Sequence, residues 1–229
     1  MSGKAVPVLT IDGPSGSGKG TISRAAARAL KWGLLDSGAL YRLVALAAHR
    51  AGVRLDDGSA LARLAEKFDI GFGSDASGEE IVRLDGRDVT RDIRTEQAGN
   101  DASKVAALPA LRDALLDRQR RFAAPPGLVA DGRDMGTVVF PDAEVKIFLT
   151  ASPAERAARR HKQLKEKAVA ATLAALSLEI AERDRRDSTR AASPLVASAD
   201  AVLLDTTGMP VDAVIERVLE ITRGRISKV

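Results

Sequence analysis

The chain has 229 residues, 45% of them hydrophobic, with 35 Lys/Arg against 31 Asp/Glu and a formal charge of +4. This length and apolar content suit one packed globular unit, and the absence of cysteine, with only His49 and His161 as histidines, excludes disulfides and thiolate metal sites. The longest apolar run, Ala168 to Leu178, stops at Glu179, too short for a bilayer, and no signal-peptide pattern opens the chain, so a cytoplasmic protein without membrane contact is expected.

The first predicted element is a buried strand, Val6 to Asp12, short, apolar and β-branched. It leads into GPSGSGKGT, comprising Gly13, Pro14, Ser15, Gly16, Ser17, Gly18, Lys19, Gly20 and Thr21, and a helix follows from Lys19 to Leu30. Glycines let a backbone wrap closely around an oxyanion with its N–H groups turned inward, while the next helix presents its positive end. Lys19 then reaches the β- and γ-phosphates of a nucleotide as a mobile cation. The motif normally ends lysine then hydroxyl; here Gly20 intervenes and the hydroxyl comes one place later, on Thr21.

A short strand at Leu34-Leu35 and a helix from Ala39 to Arg50 come next. Asp69 to Val89 reads as short strands, with Asp85-Gly86 turning Ile81–Leu84 into Arg87–Val89, a small β insert. Helices are predicted over Gln97–Ala107 and Pro109–Phe122, strands over Leu128–Ala130, Val145–Thr150 and Val202–Leu204, and a closing helix after Pro210. Pro153 to Arg190 reads as two helical stretches rich in arginine and alanine, a mobile flap with Lys165-Glu166-Lys167 between them. Strands alternating with helices predict a parallel sheet covered on both faces, with ligands collecting at the carboxyl ends beyond Asp12, Asp36, Asp131 and Thr150.

A phosphate loop serves switches, motors, uptake ATPases and kinases alike, so other clusters must discriminate. LLDSGALYR, residues 34–42, and ADGRDMGT, residues 130–137, each place an arginine just beyond a strand end, Arg42 and Arg133, with Asp36 and Asp131 beside them. Arg183, Arg185, Arg186 and Arg190 follow in the flap. Guanidinium groups converging on a nucleotide crevice imply a second anion, and hence phosphoryl transfer between two anions, governed by positioning and charge neutralisation. No histidine base is needed, because a phosphate acceptor is already ionised near pH 7.

GPSGSGKGT, LLDSGALYR, ADGRDMGTVVFPDA and ERDRRDSTRAASPL stand in an order and spacing that resemble the bacterial cytidylate kinases, the ATP:CMP phosphotransferases, from about Val6 to Val202. The displaced hydroxyl fits, since nucleoside monophosphate kinases characteristically carry GKGT. The resemblance implies an α/β phosphate-loop core with a central five-stranded parallel sheet flanked by helices. It also implies one kinase domain over residues 1–229, with a β-containing monophosphate-binding insert near 57–92 and a helical lid near 153–190.

It further implies roles for single residues. The 13–21 loop holds ATP, and Arg156, Arg159 and Arg160 of the lid close over its phosphates. Arg42, Arg133 and Arg190 meet the CMP phosphate, Arg183 and Asp187 lie near the ribose and the transferred group, and Ser103, Arg112 and Asp134 read cytosine. Asp36, Ser37, Tyr41 and Asp131 belong to the same CMP site, and Lys19, Arg133, Arg183 and Asp187 are the catalytic set. Cytosine offers an amine that a carboxylate or hydroxyl accepts and ring acceptors that suit arginine. With the loop hydroxyl displaced, Mg²⁺ comes bound to ATP phosphates and water, and no side chain is assigned to the metal. Ala168 departs from the family pattern, where a glycine hinge is common.

Two other readings compete. One is a kinase of the same core acting on UMP, AMP or a small acid. The other is a nucleotide-dependent nucleic-acid-binding switch, for which the basic balance argues. Against the second, Ser152 to Arg190 holds ten Lys/Arg and six Asp/Glu, an excess equal to that of the whole chain, and aromatic residues make up only 3%. ATP and CMP or dCMP are therefore the expected partners, nucleic acid is not, and the absence of an extended heptad pattern favours a monomer.

Overall fold

In chain order the protein builds β1 (Val8–Asp12), α1 (Lys19–Leu30), β2 (Gly33–Asp36), α2 (Ser37–Ala51), α3 (Gly58–Lys67), β3 (Ile70–Ser74), β4 (Glu80–Leu84) and β5 (Arg87–Asp88). There follow α4 (Glu96–Val105), α5 (Pro109–Arg120), β6 (Leu128–Gly132), β7 (Val145–Thr150), α6 (Pro153–Glu166), α7 (Leu173–Thr189), β8 (Val202–Asp205) and α8 (Val211–Ile226). This is a computed structural model, and it describes residues 6–74, 80–166 and 169–226. Ala168, where a hinge glycine is common in the family, lies outside the described residues. The backbone divides into two compact units, one made of the described parts of Met1–Asp36 and Arg120–Val229, the other of Ser37–Gln119.

The first unit is the α/β core that the alternating pattern predicts. Its five strands are parallel in the order β2-β6-β1-β7-β8. Central strands in such a sheet are covered on both faces, so alternation gives way to continuous apolar runs. β1 and β6 accordingly are buried along their whole length. Leu9, Ile11, Val129 and Leu149 meet Ile22 and Val218 of α1 and α8 in one cluster, where each fully buried large side chain contributes about 1.5–3 kcal/mol. Parallel register aligns Asp12 with Gly132 and Asp36 with Asp131, so the carboxyl ends of β1, β2 and β6 lie at one edge.

The second unit buries Leu43, Val44, Leu61, Val105, Leu111 and Leu115 of α2, α3, α4 and α5 around one apolar centre. β3, β4 and β5 form a separate antiparallel sheet. Its β4–β5 turn has Asp85 at φ 51° and Gly86 at φ 76°, the doubly left-handed turn that the Asp-Gly pair predicts.

Three short features escape the pattern reading. α3 begins at an Asp57 cap that accepts from the Ala60 amide at 2.9 Å. Asp92–Arg94 form a 3₁₀ turn, and Met135–Val139 a single π-helical turn in which Phe140 N donates to Met135 O at 2.7 Å. Among the described residues no helix is long and apolar enough to cross a membrane.

Candidate active site

Every residue of GPSGSGKGT lies in the first unit, between the end of β1 and the first turn of α1. The backbone passes so close to β7 that a Cβ on Gly13 would stand 2.0 Å from the Leu149 carbonyl oxygen, so glycine is required there. Lys19 opens α1, is buried, and donates from Nζ to the Pro14 carbonyl at 2.8 Å, which folds its chain back over the loop. The Ser17 hydroxyl is buried and finds no hydrogen-bond partner among the described residues. Thr21, by contrast, is exposed.

Charges gather around Lys19. Burial, reinforced by Arg133 and Arg183, pushes its ammonium well below the ordinary lysine range, against the pull of Asp131 and Asp12. Burial likewise raises the Asp131 carboxyl, with Asp36 adding to the rise and Lys19, Arg133 and Arg24 opposing it. Asp187 of α7 behaves differently: burial would raise it, but Arg133, Arg183 and Arg190 together hold it below the usual carboxylate value. Arg133 Nε donates to Asp187 Oδ2 at 3.0 Å, and Arg190 lies 4.0 Å from Asp134. The first unit thus brings together Lys19, Asp131, Arg133, Asp134, Arg183, Asp187 and Arg190, and Asp36 stands beside Asp131 in the sheet register.

Two further residues shape this site without a motif to announce them. Asp12, at the end of β1, is buried and accepts the Met135 amide at 2.9 Å and the Gly136 amide at 2.8 Å, one on each carboxylate oxygen. It ties the start of the π turn, just past Arg133 and Asp134, to the strand that launches the phosphate loop. Burial raises its carboxyl to about 6, despite those two hydrogen bonds, with Asp134 adding to the rise and Lys19 opposing it. Asp184 of α7 binds the Arg156 guanidinium through both oxygens, at 3.0 and 2.6 Å. The sequence signal for Asp12 is a carboxylate closing an otherwise apolar strand; Asp184 is hidden among the charges of ERDRRD.

The arginines of α6 divide. Arg156 donates to Ser15 O at 3.1 Å and Arg159 to Ser17 O at 3.4 Å, so both reach the phosphate loop on its carbonyl oxygens. Arg160 donates to Gln163 at 3.1 Å, along its own helix.

The second unit holds the other predicted residues. Ser37 and Tyr41 are buried on α2, Ser103 on α4 and Arg112 on α5. Arg112 lies 5.8 Å from the centre of the Tyr41 ring and donates to Ala106 O at 3.1 Å, so aromatic face and backbone fix the guanidinium together. Arg42 donates to Ile93 O at 3.3 Å.

Among the described residues no cluster of three or more His, Asp or Glu is arranged to hold a metal ion.

Comparison with known proteins gives a consistent answer. The sequence pattern of the cytidylate kinase family matches residues 9–224. The cytidylate kinase of Pseudomonas paraeruginosa is 59% identical over 217 residues, 94% of each chain. That of Methylococcus capsulatus is 56% identical over 219 residues, covering 96% of this chain and 98% of the other. That of Shewanella denitrificans is 55% identical over 222 residues, with the same coverage.

Proposed function

This chain belongs to the cytidylate kinase family, and we infer that it transfers the γ-phosphoryl group of ATP to CMP, giving ADP and CDP. The observation that carries the reading is the buried group at the strand ends, where burial, reinforced by Arg133 and Arg183, depresses the Lys19 ammonium and Arg133 Nε donates to Asp187. Cations held this close oppose one another and match the charge of two phosphates meeting in line.

In this reading the amides of residues 13–21 and the Lys19 ammonium take the β- and γ-phosphates of ATP, and Arg160 approaches from the lid. Arg156 and Arg159 serve ATP by holding the loop. Arg133 and Arg183 neutralise the phosphoryl group in transit, while Asp187 fixes the Arg133 fork and the ribose side. Arg42, Arg133 and Arg190 receive the CMP phosphate, with Asp36, Ser37, Tyr41 and Asp131 around it. Ser103, Arg112 and Asp134 read cytosine; uracil would present a carbonyl to Asp134, at a cost of about 1–3 kcal/mol per misplaced hydrogen bond. Mg²⁺ bound with ATP supplies further positive charge at the phosphates. The acceptor oxygen is already ionised, so no side chain has to take its proton.

The chain works as one kinase domain, with the β3–β5 region as a monophosphate-binding insert and α6–α7 as the lid. We place it in the cytoplasm as a monomer that accepts dCMP beside CMP and has no nucleic-acid partner, since the basic excess is confined to the lid and aromatic residues are scarce.

ADP formation from ATP and Mg²⁺ with CMP, dCMP, UMP, AMP or no acceptor tests the reading. Turnover confined to CMP and dCMP is expected. Turnover with UMP or AMP equal to that with CMP overturns the base assignment, and turnover with none of the four overturns the function.

A further inference from the structure

A phosphate-binding loop must aim its N–H groups at the anion. Because each peptide unit is planar and trans, the carbonyl of one residue points opposite to the N–H of the next. Holding the Ser15 carbonyl therefore aims the Gly16 N–H, and holding the Ser17 carbonyl aims the Gly18 N–H. α6 does both from the outer side of the loop. Arg156 Nη1 donates to Ser15 O at 3.1 Å, and Arg159, one turn later, donates to Ser17 O at 3.4 Å. The approach is tight, since a Cβ on Gly16 would lie 3.1 Å from the Arg156 Cβ.

The two arginines are anchored differently. Arg159 is fixed by Glu155 on its own helix and by Thr206, whose hydroxyl and carbonyl accept from it at 3.0 and 2.6 Å. Arg156 is fixed by α7. Its Nε donates to Ala151 O at 3.1 Å, and its two terminal nitrogens grip both oxygens of Asp184. Only 4% of the Arg156 side chain and 29% of the Asp184 side chain are exposed, so water does little to loosen this fork. Arg183 precedes Asp184 directly, Asp187 comes one turn later, and Arg190 ends the same helix. The carboxylate that steadies the loop's arginine is thus part of the helix that carries the acceptor-side groups.

We propose that Arg156 and Asp184 are positioning residues that couple the two substrate sites: an ordered phosphate loop fixes α7 through this pair, so ATP and CMP each tighten the binding of the other. This rests on the assignment of Arg183, Asp187 and Arg190 to the acceptor. Neither residue of the pair touches the reacting atoms, and the coupling is reciprocal by linkage.

Calorimetric titration with Mg²⁺ and adenylyl imidodiphosphate, with and without saturating CMP, tests it. For the unaltered protein CMP lowers the Kd of the analogue by about fivefold or more. In Asp184→Asn, Arg156 keeps Ser15 O and Ala151 O, so the analogue alone binds within about twofold of the unaltered protein, but CMP no longer improves it. Asp184→Glu restores the carboxylate and most of the coupling. Should Asp184→Asn fail to fold, Arg156→Lys, which keeps the charge and loses the fork, must lose the coupling. Equal coupling in the Asp184→Asn and unaltered proteins, or none in the unaltered protein, overturns the proposal. If CMP does not bind the unaltered protein at all, the function assigned above fails instead.

Discussion

The strand-end cluster of the first unit and the α4 carboxylate of the second treat buried charge in opposite ways. In the first unit, desolvation dominates at the sheet edge: Asp12 and Asp131 are pushed up and Lys19 is pushed down. In the second, Asp101 of α4 is as buried as Asp12, yet His49 at 2.9 Å, Gln97 at 2.9 Å and Lys104 at 3.3 Å outweigh desolvation and hold it low. Partners standing half in solvent, His49 at 55% and Lys104 at 52% exposure, can turn to meet a carboxylate. Partners locked in a strand-end cluster also face one another. The first arrangement holds a lysine whose charged form an anion beside it would favour, and the second is already neutralised.

Replacing Lys19 probes the first arrangement with the largest expected effect. Lys19→Met removes the ammonium that the reading places on the β- and γ-phosphates, and the turnover number for CMP is expected to fall by about 10²–10³-fold. Steady-state ADP formation measures it. A loss of less than tenfold would mean that the buried cluster is structural, like Asp101, and would dissolve the contrast.

Asp12→Asn comes next. An amide side chain offers one acceptor to two backbone N–H groups, so one hydrogen bond, about 1–1.5 kcal/mol, is lost from the Met135–Gly136 turn, and CMP turnover is expected to fall about tenfold. The pH dependence is more diagnostic. Folding raises the Asp12 carboxyl from 3.8 to about 6, so between pH 6 and 4 the folded state binds more protons than the unfolded one. Stability contributed by Asp12 therefore increases as pH falls through that window, at up to about 1.4 kcal/mol per pH unit for one proton, and Asp12→Asn removes that slope. Urea midpoints at pH 4.5, 5.5 and 6.5, compared between the two proteins, read it directly.

How much of this was legible in the sequence follows from the range of the forces involved. The phosphate loop, the parallel core and the β4–β5 turn are local, since glycine spacing, β-branched runs and an Asp-Gly pair each act within a few residues. The strand-end cluster is legible as a list of residues beyond strand ends, because parallel register alone aligns Asp36 with Asp131 and Asp12 with Gly132. What a side chain does once there is not local. The resemblance places Arg156 and Arg159 over the ATP phosphates. Their grip on Ser15 O and Ser17 O depends on how α6 lies against a loop some 140 positions away in sequence. Asp12 reads only as a strand end and Asp184 not at all for the same reason: a carboxylate's partner, 123 or 28 positions distant, leaves no periodic trace. The α3 helix was missed despite a local signal, the Asp57 cap before Leu61, Leu64 and Ala65.

Asp101→Ala tests the other side of the contrast. It removes the acceptor of three side chains, two of which turn to water, so a loss near the lower end of the range for buried hydrogen bonds, about 1–2 kcal/mol, is expected in urea unfolding. Its pH dependence has the opposite sign to that of Asp12. A carboxyl held low in the fold stabilises above its unfolded value near 3.8, and that contribution is lost as the pH falls below it. Acid thus relieves Asp12 and weakens Asp101 in one molecule. Should Asp101→Ala lose its stability deficit only above pH 6, the two units would not differ in the way described.

The smallest effect belongs to Arg54 and Asp56, which form a two-pronged pair at 2.9 and 2.6 Å. Hydrogen bonding from Arg54 lowers the Asp56 carboxyl, as partners lower Asp101, so direction of shift alone would rank the two together. They differ in exposure: the side chains of Arg54 and Asp56 are 81% and 67% exposed. Water solvates both ions when the pair opens, and salt screens them when it is closed, so the pair adds little to stability. Asp56→Asn is expected to leave the urea midpoint unchanged at low and at high salt. If it matched Asp101→Ala, close partners would suffice to stabilise a carboxylate anywhere on the molecule, and burial would no longer explain why the strand-end charges of the first unit behave as they do.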